Sequence, residues 1–267
     1  MKREAEEIKK IVRDGYAKAV TQSNSCCSAS SCCGSTNQAK NISKAVGYSD
    51  AEMNAVPEGA NLGFGCGNPV ALSSLKEGEV VLDLGSGAGF DAFLASSRVG
   101  KTGKVIGVDM TLEMLEKARA NAAKGNYTNV EFRQGEIEKL PVEDNSIDVI
   151  ISNCVINLSP EKQRVFAEAF RVLKFGGRLM VSDLVLVKEL PPGIKESIEA
   201  YVGCLAGAIR KGDYLNLISK AGFLNVKVVS ETNYPVDAMF EKLKGAEGAI
   251  VGIKVSAVKK LKNGDEK

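Results

Sequence analysis

The sequence predicts an open α/β fold, in which helices cover both faces of a mostly parallel sheet. From residue 79 onward, short apolar segments alternate with amphipathic segments of helical length, which is the pattern of parallel strands joined by crossover helices. The first apolar segment leads directly into a glycine-rich turn, as at the ligand-binding edge of many such sheets. The content of 44% hydrophobic and 25% charged residues also suits a globular domain with a proper core.

Seven apolar segments have the length of strands. They lie at residues 80–84, 104–108, 130–134, 147–152, 178–186, 226–230 and 249–258. One helix is predicted to follow the glycine-rich turn and to end near residue 99, and the others to cover residues 111–124, 160–174, 194–210 and 211–221. Gly176-Gly177 is expected to turn the chain into the fifth strand.

The N-terminal part is expected to be a helical extension outside the sheet. Residues 2–20 have helical apolar spacing, and a short helix is predicted to begin near Ser49. Between them, residues 21–36 are rich in Ser and Cys and predict a loop. We therefore divide the chain into an N-terminal extension (1–60), a ligand-binding core (61–187) and a small C-terminal α+β part with helices and closing strands (188–267).

Charge and hydropathy argue against nucleic-acid and membrane partners. The 35 Lys and Arg residues nearly balance the 33 Asp and Glu residues, and no basic block is present. No apolar run approaches the ~20 residues that span a bilayer. Because residues 1–10 are charged and lack the apolar stretch of a signal peptide, we expect a cytoplasmic protein.

The chain contains seven cysteines and no histidine. Without histidine, it lacks the most common general base and the most common transition-metal ligand. In a reducing cytoplasm, cysteines are core residues, ligands for soft metals or redox groups rather than a disulfide framework. Since a free cysteine is usually a small buried apolar residue, a function for any one of them needs a further signal.

The end of the first strand combines an acidic residue with a glycine loop. Asp83 ends the strand, and Gly85, Ser86, Gly87 and Gly89 lead the chain into a helix. Glycine is needed where the backbone takes unusual dihedral angles and approaches a ligand closely. An acidic side chain at this place suits a cationic amino group and would repel a pyrophosphate.

Three further segments follow the next strands at the same edge of the sheet. Asp109 ends the second strand, about 20 positions after the glycine loop, where an acid accepts hydrogen bonds from ribose hydroxyls. Residues 135–138 follow the third strand and could hold an adenine ring, and Asn153 follows the fourth strand. Because open α/β sheets bind ligands at the carboxyl ends of their strands, these segments predict one nucleoside-binding site.

These segments resemble the class I S-adenosylmethionine-dependent methyltransferases. DLGSGAGFD, VIGVDM and DVIISNCVINL occur in the order and spacing of that superfamily. The resemblance implies a Rossmann-like fold and S-adenosylmethionine as the cofactor. The cofactor contacts expected on this basis are Asp83, Gly85, Ser86, Gly87, Gly89, Asp109, Met110, Gly135, Glu136, Ile137 and Asn153.

Three cysteines lie where a methyl acceptor is expected. Cys66 is in a glycine-rich loop before the core, Cys154 directly follows the fourth strand, and Cys204 follows the fifth strand in a glycine-flanked segment. Their surroundings, NLGFGCGNP, ISNCVINLSP and YVGCLAGA, resemble the cysteine segments of microbial arsenite methyltransferases, and the resemblance covers about residues 40–230. It implies that the three thiolates bind As(III), and that arsenite or its thiol conjugates are the substrate.

The chemistry of As(III) agrees with the composition. Trivalent arsenic is soft and prefers thiolate ligands. Its lone pair carries no proton, so methylation of arsenic requires no general base, whereas most oxygen, nitrogen and carbon acceptors must be deprotonated. The task of the enzyme is then to hold the arsenic close to the methyl carbon and in line with it.

The remaining cysteines form two pairs, Cys26-Cys27 and Cys32-Cys33, whose spacing matches no common zinc motif. Methyl transfer leaves the product formally as As(V), and two thiols that close to a disulfide can supply the electrons that restore As(III). The family resemblance implies such a role for a cysteine in this segment, and we favour Cys32 or Cys33 paired with Cys66. Thioredoxin or glutathione is the expected reductant, and a loop without specific function is an equal alternative for Cys26-Cys27.

Two other functions remain open on the sequence alone. A C- or O-methyltransferase of a small molecule, such as a quinone precursor, would share the cofactor motifs and use the cysteines structurally. A non-catalytic arsenic-binding or metal-sensing protein would keep the fold without turnover. The absence of histidine weighs against the first, and the lack of a basic DNA-reading helix weighs against a sensor.

Overall fold

The computed structural model describes residues 4–22, 36–65, 67, 74–190, 204–233 and 248–261. Five of the cysteines considered above lie outside the described residues, namely Cys26, Cys27, Cys32, Cys33 and Cys66. Most of the helix predicted at 194–210 also lies outside them. Among the described residues, none of the helices is both long enough and apolar enough to cross a bilayer.

A single sheet of seven strands organises the described part of the chain. The strands are β1 (Val80–Leu84), β2 (Lys104–Asp109), β3 (Val130–Gln134), β4 (Ile147–Asn153), β5 (Leu173–Leu186), β6 (Phe223–Asn233) and β7 (Ile250–Lys259), in the order β3-β2-β1-β4-β5-β7-β6. The pairs among β1 to β5 are parallel, and β7 is antiparallel to both of its neighbours. This order confirms the predicted seven-stranded, mostly parallel sheet. The last two strands, β6 and β7, belong to the same sheet as β1 to β5.

Helices cover both faces of the sheet. They are α1 (Ala5–Gln22), α2 (Thr36–Ala45), α3 (Asp50–Asn54), α4 (Phe90–Val99), α5 (Leu112–Lys124), α6 (Lys162–Val172) and α7 (Lys211–Lys220). Within β1, Leu82 packs with α6 and α7 on one face, whereas Val81 packs with α4 and α5 on the other. Both residues are fully buried, which explains why the first three residues of the strand are all apolar instead of alternating.

Of the two short helices in the N-terminal extension, one was predicted and the other was not. The short helix predicted near Ser49 is present as α3, and Ser49 and Glu52 form a reciprocal capping box at its first turn. Helix α2, in contrast, was not predicted as a helix. Its sequence, TNQAKNISKA, is mostly polar, so its apolar periodicity is weak and its inner face has only a few small or polar residues, such as Ala39 and Ser43.

Two predictions in the second half of the chain are wrong. Gly176-Gly177 does not precede the fifth strand but lies within it, at a register shift between β4 and β5 that the positive φ of Gly176 (78°) allows. The predicted helix 194–210 does not extend through its last residues, because residues 204–210 form turns. Cys204 has φ 66°, a left-handed conformation that a right-handed helix cannot contain, and Arg210 bridges to Leu186 of β5.

The strand order determines where a ligand can bind. The chain proceeds from β1 outward through β2 and β3, and then returns to place β4 on the other side of β1. At such a switch point, the loops that follow the two adjacent strands diverge and leave a crevice at their carboxyl ends. The segments after β1 and β4 are the glycine loop and Asn153-Cys154, so the fold brings both candidate sites to this crevice.

Candidate functional site

The glycine loop after β1 has the conformation that its sequence predicts. Gly85, Gly87 and Gly89 all have positive φ (66°, 52° and 94°). A side chain at Gly85 would collide with Val155, which follows Cys154, whereas among the described residues no atom lies within 4 Å of a side chain built at Gly87. Gly85 therefore allows close packing of the two loops, and Gly87 borders open space into which a ligand could fit.

Asp109 shapes this loop. Its carboxylate accepts a hydrogen bond from the backbone N–H of Gly87 (2.9 Å) and another from that of Thr111 (2.8 Å). Burial raises the pKa of the Asp109 carboxyl, and these backbone hydrogen bonds oppose the rise because they stabilise the anion. Asp109 thus connects the end of β2 to the glycine loop, in addition to its predicted contact with ribose.

Asp83 is a buried carboxyl with one unsatisfied oxygen. Only 2% of the residue is exposed, and its Oδ2 atom has no hydrogen-bond partner among the described residues. Burial, and then the charges of Asp91 and Asp109, raise its pKa well above the ordinary value. Because a buried anion needs a compensating charge or donor, this arrangement favours a cationic ligand at the end of β1.

A hydrogen-bonded cluster of Tyr48, Asp91 and Asn153 joins the extension to this edge. The Tyr48 hydroxyl donates to Asp91 Oδ1 (2.6 Å), and Asn153 Nδ2 donates to Tyr48 Oη (2.8 Å) and Asp91 Oδ2 (3.0 Å). Burial raises the pKa of Asp91 to about 6. The amide nitrogen of Asn153 is therefore engaged with protein groups, and a contact of this side chain with the cofactor stays a prediction.

The sequence analysis did not identify Tyr48 or Asp91 as site residues. Asp91 is the last residue of the motif DLGSGAGFD, so its position close to the glycine loop could have been inferred from the sequence. Tyr48 lies 43 residues before Asp91, and nothing in the local sequence indicates their contact.

The residues of the segment after β3 make contacts with different parts of the structure. Gly135 donates its backbone N–H to the carbonyl of Asp109 (3.0 Å), which connects this segment to β2. Ile137 is 8% exposed and belongs to the main apolar core. The Glu136 carboxylate accepts a hydrogen bond from Lys9 Nζ (2.8 Å) in α1. Met110, the other candidate at this side, packs against the apolar cluster that contains Cys154.

Two of the three predicted arsenic ligands are in direct contact. The Cys204 thiol donates a hydrogen bond to the backbone carbonyl of Cys154 at an S···O distance of 2.7 Å. Both residues are buried, and both have positive φ (60° for Cys154 and 66° for Cys204), which is uncommon for residues other than glycine and is often found at functional sites. The fold thus brings together two cysteines that are 50 residues apart.

The redox states of these two cysteines differ. Cys154 is disulfide-bonded, and its partner lies outside the described residues, whereas Cys204 is a free buried thiol. Among the described residues, no group of three His, Cys, Asp or Glu side chains could hold a metal ion. Cys66, the third predicted ligand, lies outside the described residues.

The residues that flank Cys66 in the sequence lie next to Cys154. A side chain at Gly65 would lie 3.0 Å from Asn153 Nδ2, and one at Gly67 would collide with the Ser182 hydroxyl. Asn153 directly precedes Cys154, and the carbonyl of Ser182 accepts the backbone N–H of Cys154 (2.8 Å). Both flanking glycines therefore pack against neighbours of Cys154.

A buried polar network supports Cys204. Asp183 accepts hydrogen bonds from Asn157 Nδ2 (2.8 Å), from its neighbour's backbone N–H (2.9 Å) and from the Tyr214 hydroxyl (3.0 Å). Burial raises the pKa of Asp183 to about 7, and burial lowers the pKa of Lys162 to about 8. Burial, followed by the charge of Asp183, also raises the pKa of the Cys204 thiol. This network was not predicted, since its hydrogen bonds join residues that are 26 and 31 positions apart in the sequence.

Comparisons with known proteins agree with this geometry. Residues 75–222 match the family described as "Methyltransferase domain". The chain is 47% identical to the arsenite methyltransferase of Halobacterium salinarum over 85% of its own length and 60% of that protein, so it is shorter than this relative. It is 36% identical to the arsenite methyltransferase of Aquipseudomonas alcaligenes, over 88% of this chain and 68% of that protein.

A solved structure is also similar. It is that of an arsenic(III) S-adenosylmethionine methyltransferase from Chlamydomonas reinhardtii, with a TM-score of 0.64 and 35% sequence identity. The similarity covers 83% of this chain and 74% of the algal chain.

The first prediction concerns Asp109. Asp109→Ala should weaken binding of S-adenosylhomocysteine by roughly 1–3 kcal/mol, the loss expected when a charged acceptor of hydrogen bonds is removed. The variant also frees the Gly87 N–H, so the loop loses an internal support. Titration calorimetry measures the affinity, with Asp213→Ala, at an exposed position on α7, as the control. Unchanged affinity in Asp109→Ala would remove this residue from the site.

The second prediction concerns the pH dependence of stability. The pKa of Asp183 is about 7 in the folded chain, above its value of about 4 in an unfolded chain. Between these values the folded state binds more protons at this site, so rising pH removes stability. Asp183→Asn, which cannot titrate, should gain stability relative to the parent as the pH rises from about 4 to about 7. Urea unfolding tests this, and a difference that does not change with pH would contradict it.

Proposed function

We propose that this chain, which belongs to the arsenite methyltransferase family, transfers a methyl group from S-adenosylmethionine to As(III) held by its cysteine thiolates. The observation that carries the proposal is the contact of Cys204 with Cys154 at the crevice beside the glycine loop. If these two cysteines bind arsenic, the methyl acceptor would be held beside the loop that is expected to bind the cofactor.

The residues at the end of β1 fit this cofactor. The unsatisfied, buried oxygen of Asp83 suits the ammonium group of a methionine moiety, and the open space at Gly87 leaves room for a ligand. Asp109 lies beside the same loop, where a ribose could bind. When bound, S-adenosylmethionine supplies an electrophilic methyl group to the lone pair of arsenic. Buried carboxylates around it would favour its positive charge before transfer.

The cysteine site fits a trivalent, thiol-bound arsenic. Each hydroxide or thiolate that leaves As(III) can take up the proton of the incoming cysteine thiol, so ligand exchange forms water or free thiol and needs no separate base. Thiolate ligands leave arsenic three-coordinate, with its lone pair available. Since Cys154 and Cys204 are buried, water is largely excluded from this side of the site. A site of this kind needs no histidine, and the chain has none.

Reduction of Cys154 is required before it can bind arsenic, because a disulfide sulfur is not a thiolate ligand. After methyl transfer, two electrons must return to arsenic, and two thiols can supply them by forming a disulfide and releasing two protons. We propose Cys66 with Cys32 or Cys33 for this role, and thioredoxin or glutathione as the reductant of the resulting disulfide. A reducing, cytoplasmic location suits such a cycle.

One experiment tests the proposed function. The reduced protein is incubated with radiolabelled S-adenosylmethionine, a thiol reductant and either arsenite or a quinone-like phenol. Labelled methylarsenicals are the expected products. Label in the phenol alone would instead identify a small-molecule C- or O-methyltransferase, and label in neither would indicate a binding protein.

The third prediction concerns the arsenic ligands. Cys154→Ser and Cys204→Ser should each abolish arsenite methylation, because serine keeps the size but presents a hard oxygen that stays protonated near neutral pH. Binding of S-adenosylhomocysteine should persist, which shows that the domain still folds. Asp213→Ala, at the exposed position on α7, serves as the control with normal turnover. Turnover retained in either ligand variant would mean that arsenic is not held there.

The fourth prediction concerns the source of electrons. A Cys32→Ser, Cys33→Ser double variant should still bind As(III) through the three remaining ligands, but should lose the later methylation steps more than the first. Alkylation and mass spectrometry after one turnover of the parent should find a disulfide from Cys66 to this pair. If all seven cysteines of the parent remain alkylatable, the electrons come directly from small-molecule thiols, and the redox part of the proposal is wrong.

A further inference from the structure

Helix α1 lies against both candidate sites, although it is distant from them in sequence. Its residues Lys9, Val12 and Tyr16 follow one another at spacings of three and four and therefore share one face of the helix. We call this the inner face of α1. The three side chains contact, in this order, the segment after β3, the apolar cluster around the cysteines, and Cys204.

Lys9 is an unusually buried lysine on this face. Its side chain is 8% exposed, and its ammonium group lies 2.8 Å from Glu136, 3.6 Å from Glu161 and 3.9 Å from Glu138. Burial alone would lower the pKa of Lys9, but the hydrogen bond to Glu136 and the neighbouring negative charges outweigh it and raise the pKa. Without Lys9, Glu136 and Glu138 of the segment after β3 would lose the cation that they share with Glu161, and α1 would lose its attachment at this end.

Val12 connects this attachment to the cysteines. It is 1% exposed and belongs to one apolar cluster with Cys154 and Cys204, against which Met110 also packs. Met110 follows Asp109 at the end of β2, on the side expected for the cofactor. One set of apolar contacts therefore extends from the predicted cofactor side, through α1, to the predicted arsenic ligands.

Tyr16 contacts Cys204 and the loop that precedes Cys66. Its hydroxyl group is hydrogen-bonded to the Cys204 side chain. Its ring lies edge to face with that of Phe64, with 5.4 Å between the centroids. Phe64 is two residues before Cys66 in the sequence, and 42% of it is exposed.

We propose that α1 is a wall shared by the cofactor site and the arsenic site, in which Lys9 fastens the helix to the segment of Glu136 and Tyr16 positions the sulfur of Cys204. Both act through other groups and are positioning residues. The inference rests on the proposed function for the identity of the two ligands. It adds that the arsenic site is incomplete when α1 is detached. It also adds that a ligand in the cofactor site, by binding next to Glu136, keeps α1 packed over Cys204.

The first test removes the attachment. Lys9→Met keeps the length and apolar stem of the side chain but removes the ammonium group, and Lys10→Met, at the adjacent exposed position, is the matched control. In protein reduced beforehand, iodoacetamide should alkylate Cys204 about tenfold faster in Lys9→Met than in the parent, since α1 loses its ion pairs with Glu136, Glu138 and Glu161 and should detach more often. S-adenosylhomocysteine should slow alkylation of Cys204 in the parent and in Lys10→Met, but not in Lys9→Met.

Alkylation of Cys204 at the parent rate in Lys9→Met, with the same protection by S-adenosylhomocysteine, would overturn the proposal. A global loss of structure is a separate outcome, recognised by circular dichroism. In that case the milder variant Lys9→Arg decides the question. It keeps the charge, so Cys204 should be alkylated at the parent rate. Alkylation of Cys204 in Lys9→Arg as fast as in Lys9→Met would show that the ion pairs do not hold the helix in place.

The second test separates the two ends of the helix. Tyr16→Phe keeps the ring against Phe64 and removes only the hydroxyl group, with Tyr127→Phe, whose hydroxyl donates to the carbonyl of Ala55, as the control. Affinity for phenylarsine oxide should fall about tenfold, the loss expected for a hydrogen bond to the ligand atom, and kcat for arsenite should fall while KM for S-adenosylmethionine stays unchanged. Unchanged phenylarsine affinity would remove Tyr16 from the arsenic site.

These readouts distinguish the inference from the proposed function. If the parent methylates no arsenite, the proposed function fails, but the alkylation rates of Cys204 still show whether α1 covers it. If the parent is active and neither variant differs from its control, only the inference fails.

Discussion

The pairing of β1 with β4 is the constraint on which both candidate sites depend. The two strands are parallel neighbours, but the connections that follow them run in opposite directions, so a crevice opens where they end. The glycine loop forms one side of this crevice and Asn153-Cys154 the other, and Gly85 lets Val155 approach the loop closely. A larger residue at Gly85 would separate the two strand ends and, with them, the methyl donor from the acceptor.

Buried charge is concentrated at this edge. Asp83 and Asp91 are nearly inaccessible, and burial raises the pKa of each carboxyl, which is the sign of a site that disfavours its own negative charge. A protein interior rarely keeps such groups unless something compensates them. Tyr48 and Asn153 donate to Asp91, but Oδ2 of Asp83 has no such donor among the described residues. A cationic ligand would supply the missing compensation and would stabilise the folded chain when it binds.

The oxidation state of Cys154 bears on the proposed binding of As(III). Cys204 is a free thiol whose hydrogen bond reaches the backbone of Cys154, whereas Cys154 itself is in a disulfide. The same sulfur that would bind As(III) when reduced is therefore geometrically able to form a disulfide. Under the proposed function, binding of As(III) and disulfide formation would compete for the Cys154 thiol, and a reductant would determine which state it occupies.

Local patterns in the sequence determined much of the fold and the cofactor edge. The strands around Asp83 and Asp109 are predictable because strand periodicity and glycine turns are encoded within a few residues. The turn at Cys204 and the buried ion pairs of Lys9 are different, because they depend on contacts across 50 and 127 residues. Lys9 occurs in a charged helix whose sequence alone suggests exposure. Only the tertiary structure could decide that this helix covers the cysteines, since the burial of a side chain depends on which distant segment packs against it.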